Sequence, residues 1–259
     1  MRNSDGLRTT ISALLLALSL ALVCKAGLAQ IGPRYVIELT PKEAGQKGSA
    51  QQGRVQLAGK GLAMIRFQGL NILAVGADAG TFSLEAVTDW PPADLLLVTP
   101  AGAGRYAGLA PLAPLRKLPV IVVDEVSEVL PASAVADQPQ FYPLRTWDAL
   151  HLRKGKTRLR VTALPGMPGT DGVAGFMLEV GSGRTAYRVY ISCEPWQEGG
   201  EEGLEGGRLL SQRLPGADLA LLPGGDAPRL LVLQHAGRPT GDKPAALTAA
   251  GYVFSAPRR

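Results

Sequence analysis

The chain has few groups that could act as reactive centres or covalent staples. Among 259 residues it holds two cysteines and two histidines, and only 5% of it is aromatic. Cys24 and Cys193 allow at most one internal disulfide. His151 and His235 are the whole supply of imidazole, so a site built on several histidines is excluded. No repeat of about 20–50 residues is present, which removes solenoids and propellers. The charge is nearly balanced, with 27 Lys and Arg against 22 Asp and Glu. So mild an excess argues against nucleic acid or a membrane surface as a partner. Glycine (32) and proline (20) are plentiful, as short strands joined by tight turns require.

One apolar run stands out, from Ile11 to Val23, relieved only by Ser12 and Ser19. Arg2 and Arg8 precede it, and Gly27 and Ala29 follow as small residues at the −3 and −1 positions. Positive start, short apolar centre and small-residue end are the three parts of an export signal, with cleavage expected after Ala29. As a helix the run would span about 20 Å, short of a bilayer core of roughly 30 Å. No later segment is long and apolar enough to cross a membrane. The expected division is a cleavable signal at 1–29, a lead-in at 30–53 and one domain at 54–259, located in the periplasm or secreted. Cleavage removes three bases and one acid, taking the net charge from +5 to +3. It also removes Cys24, leaving Cys193 without an internal disulfide partner in an oxidising compartment. Stability then rests on a hydrophobic core, for which about 230 residues suffice.

Strands are expected at Arg34–Leu39, 54–67 and Leu70–Val75. Asp94–Thr99 and Pro119–Val123 are continuous apolar runs of the kind buried on both faces. Later candidates are Leu150–Leu152, Thr157–Ala163, Gly175–Val180, Ala186–Ser192, Asp218–Leu222 and Leu230–Leu233. Short helices are expected at Ala107–Lys117, Gly207–Arg213 and Lys243–Ala250. The glycine- and glutamate-rich stretch 199–207 reads as a solvated loop. Many strands with few helices point to two packed sheets. Gly102, Gly104 and Gly108, directly after the Asp94–Thr99 strand, imitate a dinucleotide-binding turn. Their spacing is one residue off the fingerprint, and no βαβ unit with its acidic residue follows.

The order of segments from Val55 onward resembles the metallo-β-lactamase superfamily, particularly its lactonase-like branch. Gly59-Lys60-Gly61-Leu62 stands where that branch carries G-H-A-S. Phe67 to Gly76 matches its G-x-x-I-L-T-D-P hairpin, and Leu97-Val98-Thr99-Pro100-Ala101-Gly102-Ala103-Gly104-Arg105 its strand running into H-x-H-x-D-H. Val161 to Pro168 corresponds to a strand and P-A-R-H. Gly175-Phe176-Met177-Leu178-Glu179 and Tyr190-Ile191-Ser192-Cys193-Glu194 are similar to G-F-x-L-E and Y-x-S-G-D. Asp218-Leu-Ala-Leu-Leu-Pro-Gly-Gly225 is similar to D-L-A-L-L-P-x-G-G. The resemblance covers about residues 55–235 and implies a four-layer αββα sandwich of two mixed sheets flanked by helices.

The ligands that such a fold would carry are replaced. Pro100 and Gly102 stand at the first two histidine positions, Gly104 at the aspartate and Arg105 at the last histidine. Proline and glycine offer no side-chain donor, and a guanidinium has no acceptor and repels a dication. Pro168 takes the next histidine position. Glu194 at the bridging aspartate and His235 at the final histidine remain, with Cys193 as a conceivable third ligand of a single zinc. Cys193 reads more simply as a small buried hydrophobe, and His151, beside Arg153 and Lys154, as a surface residue. A Cys193–His235 nucleophile–base dyad stays open, since only geometry decides it. Lys60 and Arg105 would place two cations in the former cleft, where an anion could bind. The expectation is an exported, non-catalytic binding domain without a cofactor, taking a small anionic ligand or a protein partner. A hydrolase with an altered, mononuclear or metal-free site is the alternative, and zinc enters only there.

Overall fold

The computed structural model describes residues 33–40, 52–76, 84–99, 115, 117–124, 139–165, 172–181, 186–193, 216–224, 227–235, 238–240 and 243–255. The signal segment, the glycines of 102–108, the acidic stretch 199–207, nearly all of the 107–117 helix and the whole 207–213 helix lie outside them.

A seven-stranded sheet and an eight-stranded sheet, both mixed, make up the fold. In chain order the strands are β1 (Tyr35–Leu39), β2 (Gln52–Gly59), β3 (Leu62–Phe67), β4 (Leu70–Val75), β5 (Leu95–Val98), β6 (Pro119–Val123) and β7 (Gln140–Leu144). They continue with β8 (Ala149–Lys154), β9 (Thr157–Pro165), β10 (Val173–Val180), β11 (Tyr187–Ser192), β12 (Leu219–Leu222) and β13 (Arg229–Val232). The last are β14 (Gln234–His235), β15 (Arg238–Pro239), β16 (Ala245–Ala246) and β17 (Tyr252–Ser255). The first sheet runs β17-β2-β3-β4-β5-β6-β7 and the second β1-β8-β9-β10-β11-β12-β13-β16, while β14 and β15 form a separate pair. β1, within the segment read from sequence as a lead-in, is hydrogen-bonded in parallel to β8.

Period-two alternation decides which side chains meet between the sheets. On β3, Ala63, Ile65 and Phe67 join the main core, while Leu62 and Met64 point to the opposite face. The second sheet contributes Leu150, Leu152, Val161, Phe176, Leu178, Val189 and Leu219 to the same core. Phe176 is fully buried there, and burial of a side chain this size contributes about 1.5–3 kcal/mol. Leu62, Met64, Leu73, Leu96 and Val122 on the outer face of the first sheet are also buried, packed with Val87 of the helix α1 (Leu84–Thr88). β5 and β6 are thus covered on both faces, as their unbroken apolar runs predict. α1 is the one α-helix among the described residues.

Two sequence expectations fail here. Residues 54–67 are not one strand but β2 and β3, turned at Lys60 with Gly61 at φ +67°. Lys243–Ala250 is not a helix: Ala245 and Ala246 pair with Leu230 and Arg229, and the Leu247 amide donates to the Pro228 carbonyl at 2.8 Å. Its residues are satisfied by a sheet edge instead of by one another.

Candidate functional site

β4, β5 and β6 are parallel neighbours, so their carboxyl ends lie at one rim of the sandwich. Such a rim is where ligands bind in open mixed sheets. Thr99, directly after β5, is only 3% exposed. Its hydroxyl donates to the Val75 carbonyl at 3.0 Å, and its amide donates to the same oxygen at 3.1 Å. The Gly76 amide donates to the Gly61 carbonyl at 2.8 Å, which brings the exposed turn of Lys60 to the end of β4. From the second sheet, Ser192 ends β11 and Cys193 follows it, both buried. The Cys193 amide donates to the Ala174 carbonyl at 2.8 Å.

The space between these groups is small. Ala63, Ala74, Val75, Thr99, Ile191 and Ser192 are among the residues around a cavity of about 30 Å³. That admits no more than a few waters, whereas ligand pockets run to about 300–1,000 Å³. The donor chemistry does not suit a divalent metal either. The lining of this cavity offers only the neutral hydroxyls of Thr99 and Ser192 and is otherwise apolar, with no imidazole, thiolate or carboxylate among its residues. Among the described residues no group of three His, Cys, Asp or Glu is placed to hold a metal ion.

The sequence candidates divide as follows. Cys193 is 7% exposed and belongs to the core between the sheets, as its small-hydrophobe reading anticipates. β11 ends at Ser192, so Cys193 lies just beyond the strand. Glu194 and Arg105 lie outside the described residues. His235 has a described backbone, in the β14–β15 pair opposite Arg238, outside both large sheets. His151 is exposed on β8. Asp124, at the end of β6, is half-buried and held by Arg34, 3.7 Å away, and by Arg145. Arg34 in turn meets Asp148 at 2.5 Å, so this acid serves an ion-pair network.

A larger concavity lies on the outer face of the second sheet, and the sequence reading passed over it. It measures about 800 Å³ and is lined by Val36, His151, Arg153, Arg158, Arg160, Glu179, Arg188 and Asp218, among others. The cross-strand register builds it as a row: Val36 opposite His151, His151 opposite Arg160, Arg160 opposite Glu179, and Glu179 opposite Arg188. Glu179 accepts from Arg188 at 2.9 Å and faces Arg160 at 3.7 Å. Partial burial lowers the His151 pKa below its ordinary value, Arg160 lowers it further, and Glu179 works against both. The signal was in the sequence. Within Leu150-His-Leu-Arg153 and Thr157-Arg-Leu-Arg160 every second residue is basic, which on strands means one face.

No protein-family model matches the chain, and no curated protein sequence does. Solved structures to which it is similar include a diiron β-hydroxylase and metallo-β-lactamase fold proteins. One, from Bacillus subtilis, shares 12% identity over 66% of this chain and 70% of that one, with a TM-score of 0.40. A subclass B3 metallo-β-lactamase described as having an active-site glutamic acid shares 17% over 76% and 80%, with a TM-score of 0.39. Another B3 enzyme, isolated from a soil metagenome library, shares 12% over 68% and 78%, with a TM-score of 0.38. No helix among the described residues is long and apolar enough to cross a membrane.

Proposed function

We propose that this chain is an exported, non-catalytic binding domain built on the metallo-β-lactamase sandwich, with the metal cradle replaced. In this reading helices flank both sheets, the segment to Ala29 is removed on export, and the mature domain works in the periplasm or outside the cell without a cofactor. The observation that carries the reading is Thr99. In the resemblance it stands immediately before the metal-binding loop, and here its hydroxyl donates to the Val75 carbonyl beside a cavity of about 30 Å³ whose lining holds no imidazole, thiolate or carboxylate. The sequence supports the same conclusion, because Pro100, Gly102, Gly104 and Arg105 take ligand positions without supplying a ligand.

Thermal unfolding with and without a strong chelator tests the proposal. A fold that owes nothing to a metal keeps its midpoint in excess chelator. A drop that added zinc reverses would mean that Glu194 and other residues, with or without Cys193 and His235, form a metal site, and the altered-hydrolase reading would replace this one.

A further inference from the structure

We propose that the concavity on the outer face of the second sheet binds a small organic oxyanion, a carboxylate or phosphate ester carrying an apolar body. The anion is recognised mainly by Arg153 and Arg158. Four arginines face this space against three carboxylates, Glu38, Glu179 and Asp218. The acids are unevenly engaged. Glu179 serves both Arg160 and Arg188, and Asp218 accepts the Arg188 backbone amide at 2.8 Å. Arg153 and Arg158 stand directly opposite one another across β8 and β9, with Glu38 of β1 opposite Arg153 on its other side. Both are exposed, and among the described residues neither has a carboxylate within ion-pair distance. Like charges facing each other across a strand pair are destabilising, and an oxyanion between two guanidinium forks relieves the repulsion through paired hydrogen bonds.

Two features set the ligand's size and shape. Val36 is 69% exposed at the end of the row, offering an apolar contact. At the opposite side Gly216, with φ +96°, leaves the space that the Arg188 guanidinium occupies, where a Cβ would clash with it. Arg188 is thereby drawn down to Glu179 and the concavity stays open at about 800 Å³, a volume suited to a small molecule. The three acids in the lining disfavour a long polyanion laid across the face. This site is separate from the rim, so its failure would leave the proposed function untouched.

Calorimetric titration of the full protein with benzoate, phenyl phosphate and heparin tests the assignment. Saturable binding of benzoate or phenyl phosphate, one per chain, is expected, and the stronger of the two identifies carboxylate or phosphate as the preferred group. The Arg153→Ala/Arg158→Ala variant should weaken that binding by about tenfold or more. Arg153→Lys/Arg158→Lys should recover part of it, since the charge survives without the fork, and unchanged melting would confirm that both variants fold. The proposal is overturned if both small probes fail to bind, if the alanine variant binds them as well as wild type, or if heparin alone binds.

Discussion

Lys154 on the second sheet reaches Asp94 at the head of β5 in the first, with Nζ 2.7 Å from the carboxylate. The same ammonium donates to the Gly69 carbonyl at 2.7 Å, and Asp94 also accepts the Asn71 amide at 2.8 Å. Both side chains are largely shielded, at 13% and 18% exposure. This clamp fastens the sheets at the end opposite the Thr99 rim. Lys154→Met leaves Asp94 half-buried without its cation and should lower unfolding free energy by about 1–3 kcal/mol in denaturant titration. A double-mutant cycle with Asp94→Asn should show positive coupling between the two.

Tyr187 from the second sheet stacks on Phe254 of β17, ring centroids 4.0 Å apart, and Phe254 lies 5.8 Å from Phe67. Gly53 makes room for the Phe254 ring, which a Cβ at that position would overlap. Gly53→Val should therefore expel Phe254 and cost about 2–4 kcal/mol. Loss of near-ultraviolet dichroism from the stack would distinguish this from a general weakening.

Burial, reinforced by Asp218 and Tyr252, raises the Tyr187 pKa far above that of an ordinary phenol. The folded state thus holds a proton that the unfolded chain releases at about pH 10. The stability is present below that pH and is lost as the pH climbs above it toward the raised folded value. Tyr187→Phe should flatten the alkaline fall in unfolding free energy measured at about pH 9–11. Tyr142 and Tyr252, also raised by burial, should keep a smaller slope.

His151 offers a second titration. Its folded pKa is lowered, so its contribution is present above the unfolded value of about 6.5 and is lost as pH falls below it. Its midpoint in an NMR titration should lie below that value. Arg160→Ala should raise the midpoint, and Glu179→Gln should lower it further.

If the segment to Ala29 is an export signal, the protein recovered from outside the cytoplasm should begin at Gln30. Amino-terminal sequencing decides this. Recovery of the intact chain in the membrane fraction would count against cleavage.

Much of the sandwich could be read from residue order. Leu95–Val98 and Pro119–Val123 are covered on both faces, and unbroken apolar runs announce that condition. β7 escaped because Pro143 lies inside it. It is an edge strand of the first sheet, so a missing amide on its free side costs no ladder bond. The Lys60 turn was hidden because strand-forming residues stand on either side of it, Val55 and Leu57 before and Leu62–Ile65 after. α1 spans five residues, too few to show a helical period. At the candidate site, Pro100, Gly102 and Gly104 could be read as offering a metal nothing, since those side chains carry no donor in any fold. The commitment of the Thr99 hydroxyl was not, because a bond to Val75 depends on how β4 and β5 meet. The arginine row shows the reverse case. Its two-residue spacing was present in the sequence, but the joining of β8, β9, β10 and β11 makes it one surface.

Elemental analysis tests the central claim most directly. Protein purified without chelator, exposed to zinc, iron and manganese salts and then desalted should carry each metal at far below one atom per chain. One tightly held metal per chain would contradict the account and return attention to Cys193, Glu194 and His235.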